Sequence, residues 1–234
     1  MNADTMRRID RWAGAPLCWL ASRLEGLRPR PQARPLRRIL FIGLAEIGGL
    51  VVAHPALELA RRRHPGAELY FLTFERGRPM ARILGVPDSR QVVIRPRARV
   101  FVADSLAAVR RLRRLRLDAT VNLEAYARFS ALLAWASGAP ARVGFHPFHD
   151  SGHYLGGLVT HRVIYNPHLH AGRSFVALVR ALEESPGPEP RAKVPVGPAP
   201  LEPPRWRPGP AETGRVLNQL RRQHPGLGLR HRLV

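Results

Sequence analysis

Four consecutive apolar residues, Ile39-Leu40-Phe41-Ile42, run directly into Gly43 with no polar interruption. A strand with one wet face alternates apolar and polar residues, whereas an unbroken apolar run suits a strand covered on both faces, as in a parallel sheet between two helical layers. The chain that follows keeps alternating between the two periods. Residues 55–63 read as helix, stopped by His64-Pro65-Gly66, and residues 68–72 as a second strand. Residues 80–84 then read as a short helix and 91–94 as a third strand. Asp104 is placed to cap a helix with Leu106, Val109 and Leu112 on one side and Arg110, Arg111, Arg113 and Arg114 largely on the other, a solvated basic face. Residues 119–123 form a fourth strand, 128–137 a helix ending near Gly138, and 142–145 a fifth strand. This order predicts a mainly parallel sheet with right-handed crossovers and the 39–42 strand at its centre.

On either side of this core the composition changes. Ile9, Trp12, Pro16, Leu20, Leu24 and Leu27 recur at helical spacing, with Arg7, Arg8, Arg11 and Arg23 nearby. Two fates are open to such an amphipathic basic helix. It can lie in an anionic membrane interface through residues 7–27, with Trp12 and Trp19 at headgroup level, or it can pack on the domain's own surface. The apolar run 12–21 is about half the length a bilayer span requires, and Pro16 interrupts it. A Pro- and Arg-rich linker follows. At the other end, Phe175, Leu178, Val179 and Leu182 mark a helix, residues 185–210 carry ten prolines, and residues 213–223 read as one more helix before an apparent strand start at 229–234. The expected organisation is therefore 1–37, amphipathic helix and linker; 38–184, an α/β, Rossmann-like domain; and 185–234, a Pro-rich linker with the beginning of a further domain.

The formal net charge of +21 suggests a polyanionic partner, but Lys193 is the only lysine among 38 basic residues and no nucleic-acid-binding motif accompanies them. An arginine surplus of that kind fits codon bias as well as selection, so no nucleic-acid partner is expected, although a basic RNA-associated protein remains a third reading of the chain. A single cysteine, Cys18, rules out an intrachain disulfide and suits a reducing compartment, which points to the cytoplasm. His146, His149, Asp150 and His153, with His161, His168 and His170 beyond, match no zinc spacing, and no metal is expected.

The turn after the central strand, Gly43-Leu44-Ala45-Glu46-Ile47-Gly48-Gly49-Leu50, stands where open α/β sheets bind ligands. It is neither a P-loop, since Gly49 and Leu50 replace Lys and Ser/Thr, nor a dinucleotide fingerprint, since Ala45 stands at the second glycine. Residues 38–49, continuing to Pro55-Ala56-Leu57, nevertheless resemble the opening of glycosyltransferase family 9, which holds the ADP-heptose:lipopolysaccharide heptosyltransferases. Asp118-Ala119-Thr120-Val121-Asn122-Leu123-Glu124, then residues 137–145, then Thr160-His161-Arg162-Val163 match in the same order, so the likeness runs from about 38 to 184. It implies the N-terminal, acceptor-side domain of a GT-B fold whose donor-binding half would lie beyond this chain.

The resemblance carries roles with it. The family's turn ends in an aspartate, the candidate base for the acceptor hydroxyl, and here that position is Gly49. Glu46, three residues earlier, is the candidate replacement catalytic carboxylate. Gly48, Gly49, Glu124 and Arg128 are expected to line the acceptor crevice, Arg128 as a bidentate phosphate clamp. Arg142 is an acceptor-binding candidate or, equally, a partner for a carbonyl at the end of the sheet. No cofactor is implied besides the nucleotide-sugar donor, plausibly ADP-heptose. The implied acceptor is lipopolysaccharide or another lipid-linked molecule at the inner face of the cytoplasmic membrane. Gly49 and the unrepresented donor half also admit a different class, a non-catalytic acceptor- or membrane-binding module.

Overall fold

The computed structural model describes residues 14–26, 35–44, 47–97, 99–125, 127–146, 155–187, 204 and 207–224. The chain divides into two units, Met1–Pro204 and Arg205–Val234. The first contains a six-stranded parallel sheet: β1 (Arg38–Ile42), β2 (Glu68–Phe74), β3 (Gln91–Ile94), β4 (Ala119–Asn122), β5 (Ala141–Phe145) and β6 (His161–Val163). The spatial order is β3-β2-β1-β4-β5-β6, the doubly wound order, with the apolar 39–42 run at its centre as the sequence predicts. Around it, among the described residues, lie α1 (Ala15–Glu25), α2 (Ile47–Val51), α3 (His54–Arg63), α4 (Arg78–Ile83), α5 (Phe101–Arg114), α6 (Arg128–Ala136) and α7 (Ala171–Ala181). In the second unit the described part is essentially α8 (Pro210–Gln223), opened by Glu212 reaching back to the Gly209 N–H (3.3 Å).

β1 shows why the sheet is covered on both faces. Ile39 and Phe41 point into a cluster with Ala56, Leu57 and Ala60 of α3 and Phe175, Val176 and Leu178 of α7. Leu40 and Ile42 point the other way, into Ala108 and Leu112 of α5 and Leu133 and Ala134 of α6. Strand side chains alternate faces, so the middle of such a strand is apolar on both, and each large residue contributes about 1.5–3 kcal/mol on burial. Edge strand β6, three residues reading His-Arg-Val, carries too little pattern to be read as a strand from the sequence.

Two local expectations are corrected. α5 begins at Phe101, three residues before Asp104, because the Phe101 ring packs against Phe129 (centroids 5.0 Å apart) and draws the first turn into the fold. Asp104 is then no cap. Its carboxylate accepts from the Arg95 backbone N–H (3.1 Å), Nε (2.8 Å) and Nη2 (2.9 Å). The buried side of α5 runs through Ala108 and Leu112, which leaves Leu106 exposed. Arg110, Arg111, Arg113 and Arg114 are exposed as expected.

The first helix realises the packed alternative over its described residues. Cys18 and Ala21 are buried against Ala131, Leu155, Leu158 and Val159. Ser22 Oγ accepts from the Gly157 N–H (2.9 Å), and Glu25 Oε2 accepts from Trp135 Nε1 (2.9 Å). Residues 7–13, with Trp12 and the arginines at 7, 8 and 11, lie outside the described residues. Among the described residues no helix is long and apolar enough to cross a membrane.

Candidate functional site

From β1 the sheet is built outward in both directions, through β2 and β3 on one side and β4, β5 and β6 on the other. The chain therefore leaves the carboxyl ends of β1 and β4 on opposite faces, which opens a crevice above this pair where ligands of open α/β sheets bind.

Glycine and a carboxylate build that crevice. The Gly43 N–H continues the ladder to the Leu72 carbonyl (3.0 Å), and the Leu123 N–H donates to Ile42 (2.9 Å). A Cβ at Gly43 would lie 2.5 Å from Leu50 Cδ2 and 3.3 Å from the Phe71 ring, so any larger residue there would have to push the buried Leu50 side chain aside. Next along, the Leu44 N–H donates to Glu124 Oε1 (2.6 Å), tying the end of β4 to the turn after β1. The Glu124 N–H in turn donates to Asn122 Oδ1 (3.2 Å), whose Nδ2 donates to Ser130 Oγ (3.0 Å). Buried Asn122 and Ser130 thus hold Glu124 in place, and sequence reasoning assigned neither a role. The signal was available, as Asn122 is a polar residue closing an otherwise buried strand.

Arg128 opens α6 at the same end of the sheet and is buried. Charge and helix dipole there both favour an anion. Gly48 and Gly49 lie in α2, and a Cβ at either would meet nothing within 4 Å. Their space is open, so no steric need keeps an aspartate out of position 49. Glu46 lies outside the described residues.

Arg142 is not brought to this crevice. It is the second residue of β5, paired in register with Thr120, about 10 Å down the strand from its carboxyl end at 3.3 Å per residue. Its Nε donates to the Leu158 carbonyl (2.7 Å), its Nη1 to Ala139 (2.7 Å), and its Nη2 to Glu25 on α1. The role it takes is the second one open to it, that of carbonyl partner. The structure therefore gathers Gly48, Gly49, Glu124 and Arg128 at one end of the sheet and leaves Arg142 at the other.

Among the described residues the histidines do not assemble either. His161 shares a hydrogen bond with Thr160 Oγ1 (2.8 Å), and His170 Nδ1 accepts from the Gly172 N–H (3.1 Å) at the start of α7. His149, Asp150 and His153 lie outside the described residues, and no group of three metal-ligating side chains occurs among the described ones.

No family model and no curated protein sequence matches the chain. The fold does match solved structures. Escherichia coli ADP-heptose lipopolysaccharide heptosyltransferase II is similar at 20% identity and TM-score 0.59, over 78% of this chain and 50% of that one. A glycosyl transferase family 9 protein from Veillonella parvula is similar at 18% and 0.55, over 85% and 52%. E. coli heptosyltransferase WaaC with ADP-2-deoxy-2-fluoro heptose is similar at 17% and 0.53, over 65% and 50%. At these identities the likeness is one of fold, and this chain spans about half the length of each of these three proteins.

Proposed function

We propose that this chain is the acceptor-side half of a heptosyltransferase-like GT-B enzyme, which transfers a sugar from a nucleotide sugar, plausibly ADP-heptose, to a lipopolysaccharide-type or other lipid-linked acceptor at the cytoplasmic membrane face. One observation carries the reading: a carboxylate, Glu124, fixed to the Gly43–Leu44 turn above β1 and β4, in a fold shared with heptosyltransferases. Buried Arg128 then suits an acceptor phosphate. Glu46, in the same turn, takes the proton from the acceptor hydroxyl as its oxygen attacks the sugar's anomeric carbon, and the nucleoside diphosphate leaves with the bonding pair. The donor is held mainly by a second Rossmann-like half.

Mixing the chain with a separately produced donor half and ADP-heptose should transfer labelled sugar to a lipid-linked acceptor, and Glu46→Gln should lower the rate at least 100-fold. Full activity in Glu46→Gln would remove Glu46 from the mechanism, and absence of transfer in every combination would end the enzymatic reading. Gly49 favours one rival, because glycine cannot accept a proton: a non-catalytic module that binds acceptor or membrane. Acceptor binding without transfer would select it.

A further inference from the structure

We infer that α1 is a preformed membrane foot, a folded helix already bolted to the domain that seats its outward side in an anionic lipid bilayer. The inference specifies the membrane partner of the reading above. At about 100° per residue, Cys18, Ala21, Ser22 and Glu25 fall on one side of α1, and this is the side docked on α6 and residues 155–159. Leu17, Leu20 and Leu24 fall on another side and are 50%, 52% and 46% exposed. Trp19, 53% exposed, lies between the two sides, with the Arg23 guanidinium carbon 5.1 Å from its ring centroid. Small and polar residues face the protein while the large apolar ones face out, the reverse of a surface helix that merely covers its own core. Leu17, Leu20 and Leu24 form one exposed apolar stripe of the kind that marks an interaction surface, with Arg23 and then Trp19 along its edge.

Charge selects the occupant. Residues 1–37 carry eight arginines against three acids, and one of those acids, Glu25, is taken up by Arg142 and Trp135 inside the fold. Arginines precede the helix at 7, 8 and 11 and follow it at 28, 30 and 34, so the apolar side is bracketed by cations in the sequence. An apolar helix side with flanking arginines and an interfacial tryptophan matches the boundary between acyl chains and anionic headgroups. A second copy would bring the same positive charge against it, which opposes self-association through this side. Because Ser22 and Glu25 fix the helix to the core, docking orients the whole domain on the lipid rather than tethering it loosely.

The experiment is sedimentation of the full chain with vesicles of phosphatidylcholine alone or mixed with phosphatidylglycerol, alongside the triple variant Leu17→Ser, Leu20→Ser, Leu24→Ser. The three positions are half exposed, so the variant should keep its thermal melt, which circular dichroism verifies. The wild-type chain should pellet with the anionic vesicles and remain in solution with the neutral ones, and each Leu→Ser change should weaken partitioning about ten-fold. Equal pelleting of the triple variant would overturn the inference, since charge elsewhere would then suffice. No pelleting of the wild type, or dimerisation that the triple variant abolishes, would also overturn it, the latter in favour of a second copy. Vesicle binding with no sugar transfer by the recombined halves would leave the foot standing and remove the proposed enzyme, so the two failures are distinguishable.

Discussion

The two ends of the sheet are built on opposite plans. At the amino end several described polar groups are committed to another part of the protein. Asp118 accepts from the Arg37 and Arg38 N–H groups (2.8 Å each), and Arg38 Nη1 donates to the Leu115 carbonyl (2.8 Å). Glu68 gathers Tyr70 (3.0 Å) and Arg90 (2.8 Å), and Arg142 joins β5 to α1 through Glu25. The Tyr70 hydroxyl, with Arg90 and Arg38, holds the Glu68 carboxyl below its ordinary range, while burial and then Glu68 push the Tyr70 phenol up. At the carboxyl end, above β1 and β4, stand glycines with open space beside them, a carboxylate that accepts from the Leu44 N–H, and an arginine at a helix start. One end is tied and the other is furnished. An arginine's role in such a fold therefore depends on which end of a strand it occupies, and residue type alone cannot distinguish Arg128 from Arg142.

That contrast can be broken in several places. Arg142→Ala should have the largest effect on stability, about 3–5 kcal/mol by urea unfolding, because it takes the guanidinium from the largely buried Glu25 carboxylate and from the Ala139 and Leu158 carbonyls. Its predicted effect on acceptor affinity in the surviving folded fraction is nil, so a specific loss of affinity would put Arg142 back in the site. Gly43→Ala should cost about 1–3 kcal/mol, since the added methyl meets Leu50. Glu124→Ala should cost about 1 kcal/mol and Glu124→Gln less, the amide oxygen still accepting from Leu44. Both should weaken acceptor binding more than that stability loss accounts for. Gly49→Asp should change stability by no more than about 0.5 kcal/mol, as the site is open, and should raise transfer by the recombined halves. Unchanged transfer would show that the turn does not need that aspartate.

The smallest effect is in acid. Hydrogen bonding by Arg95, then its charge, holds Asp104 down to about 2, and Arg82 lowers Asp88 in the same manner. A carboxylate whose folded value lies below its unfolded value stabilises the protein above about pH 4, and that contribution disappears as pH falls to about 2. The melting temperature should therefore hold near neutrality and fall between those limits. Arg95→Ala should shrink the fall, and added salt should do the same, because these pairs are exposed.

The fold was legible where burial imposed a period. β1 and α3 declared themselves because a strand covered on both faces is apolar on both, and a helix on one face must repeat its apolar residues. β6 was not legible, since a three-residue edge strand is held by pairing with β5 rather than by its own pattern. The start of α5 was misplaced because its first turn is set by the Phe101–Phe129 contact, a tertiary fact, and not by the best capping residue nearby. Of the site candidates, Glu124 and Arg128 lie at the carboxyl end of the sheet as their position after a strand implies, whereas the commitment of Arg142 to Glu25 spans 117 residues of sequence and leaves no local trace.

The central claim is that the carboxyl end above β1 and β4 receives the acceptor. A titration of the isotope-labelled chain with a phosphorylated lipopolysaccharide-type acceptor, followed through backbone amide resonances, tests it most directly. The account predicts that shifts concentrate at Gly43, Leu44, Gly48, Gly49, Glu124 and Arg128, while Arg38, Asp118 and Arg142 stay still. Shifts confined to the amino end, or none at acceptor concentrations that saturate the recombined enzyme, would contradict it.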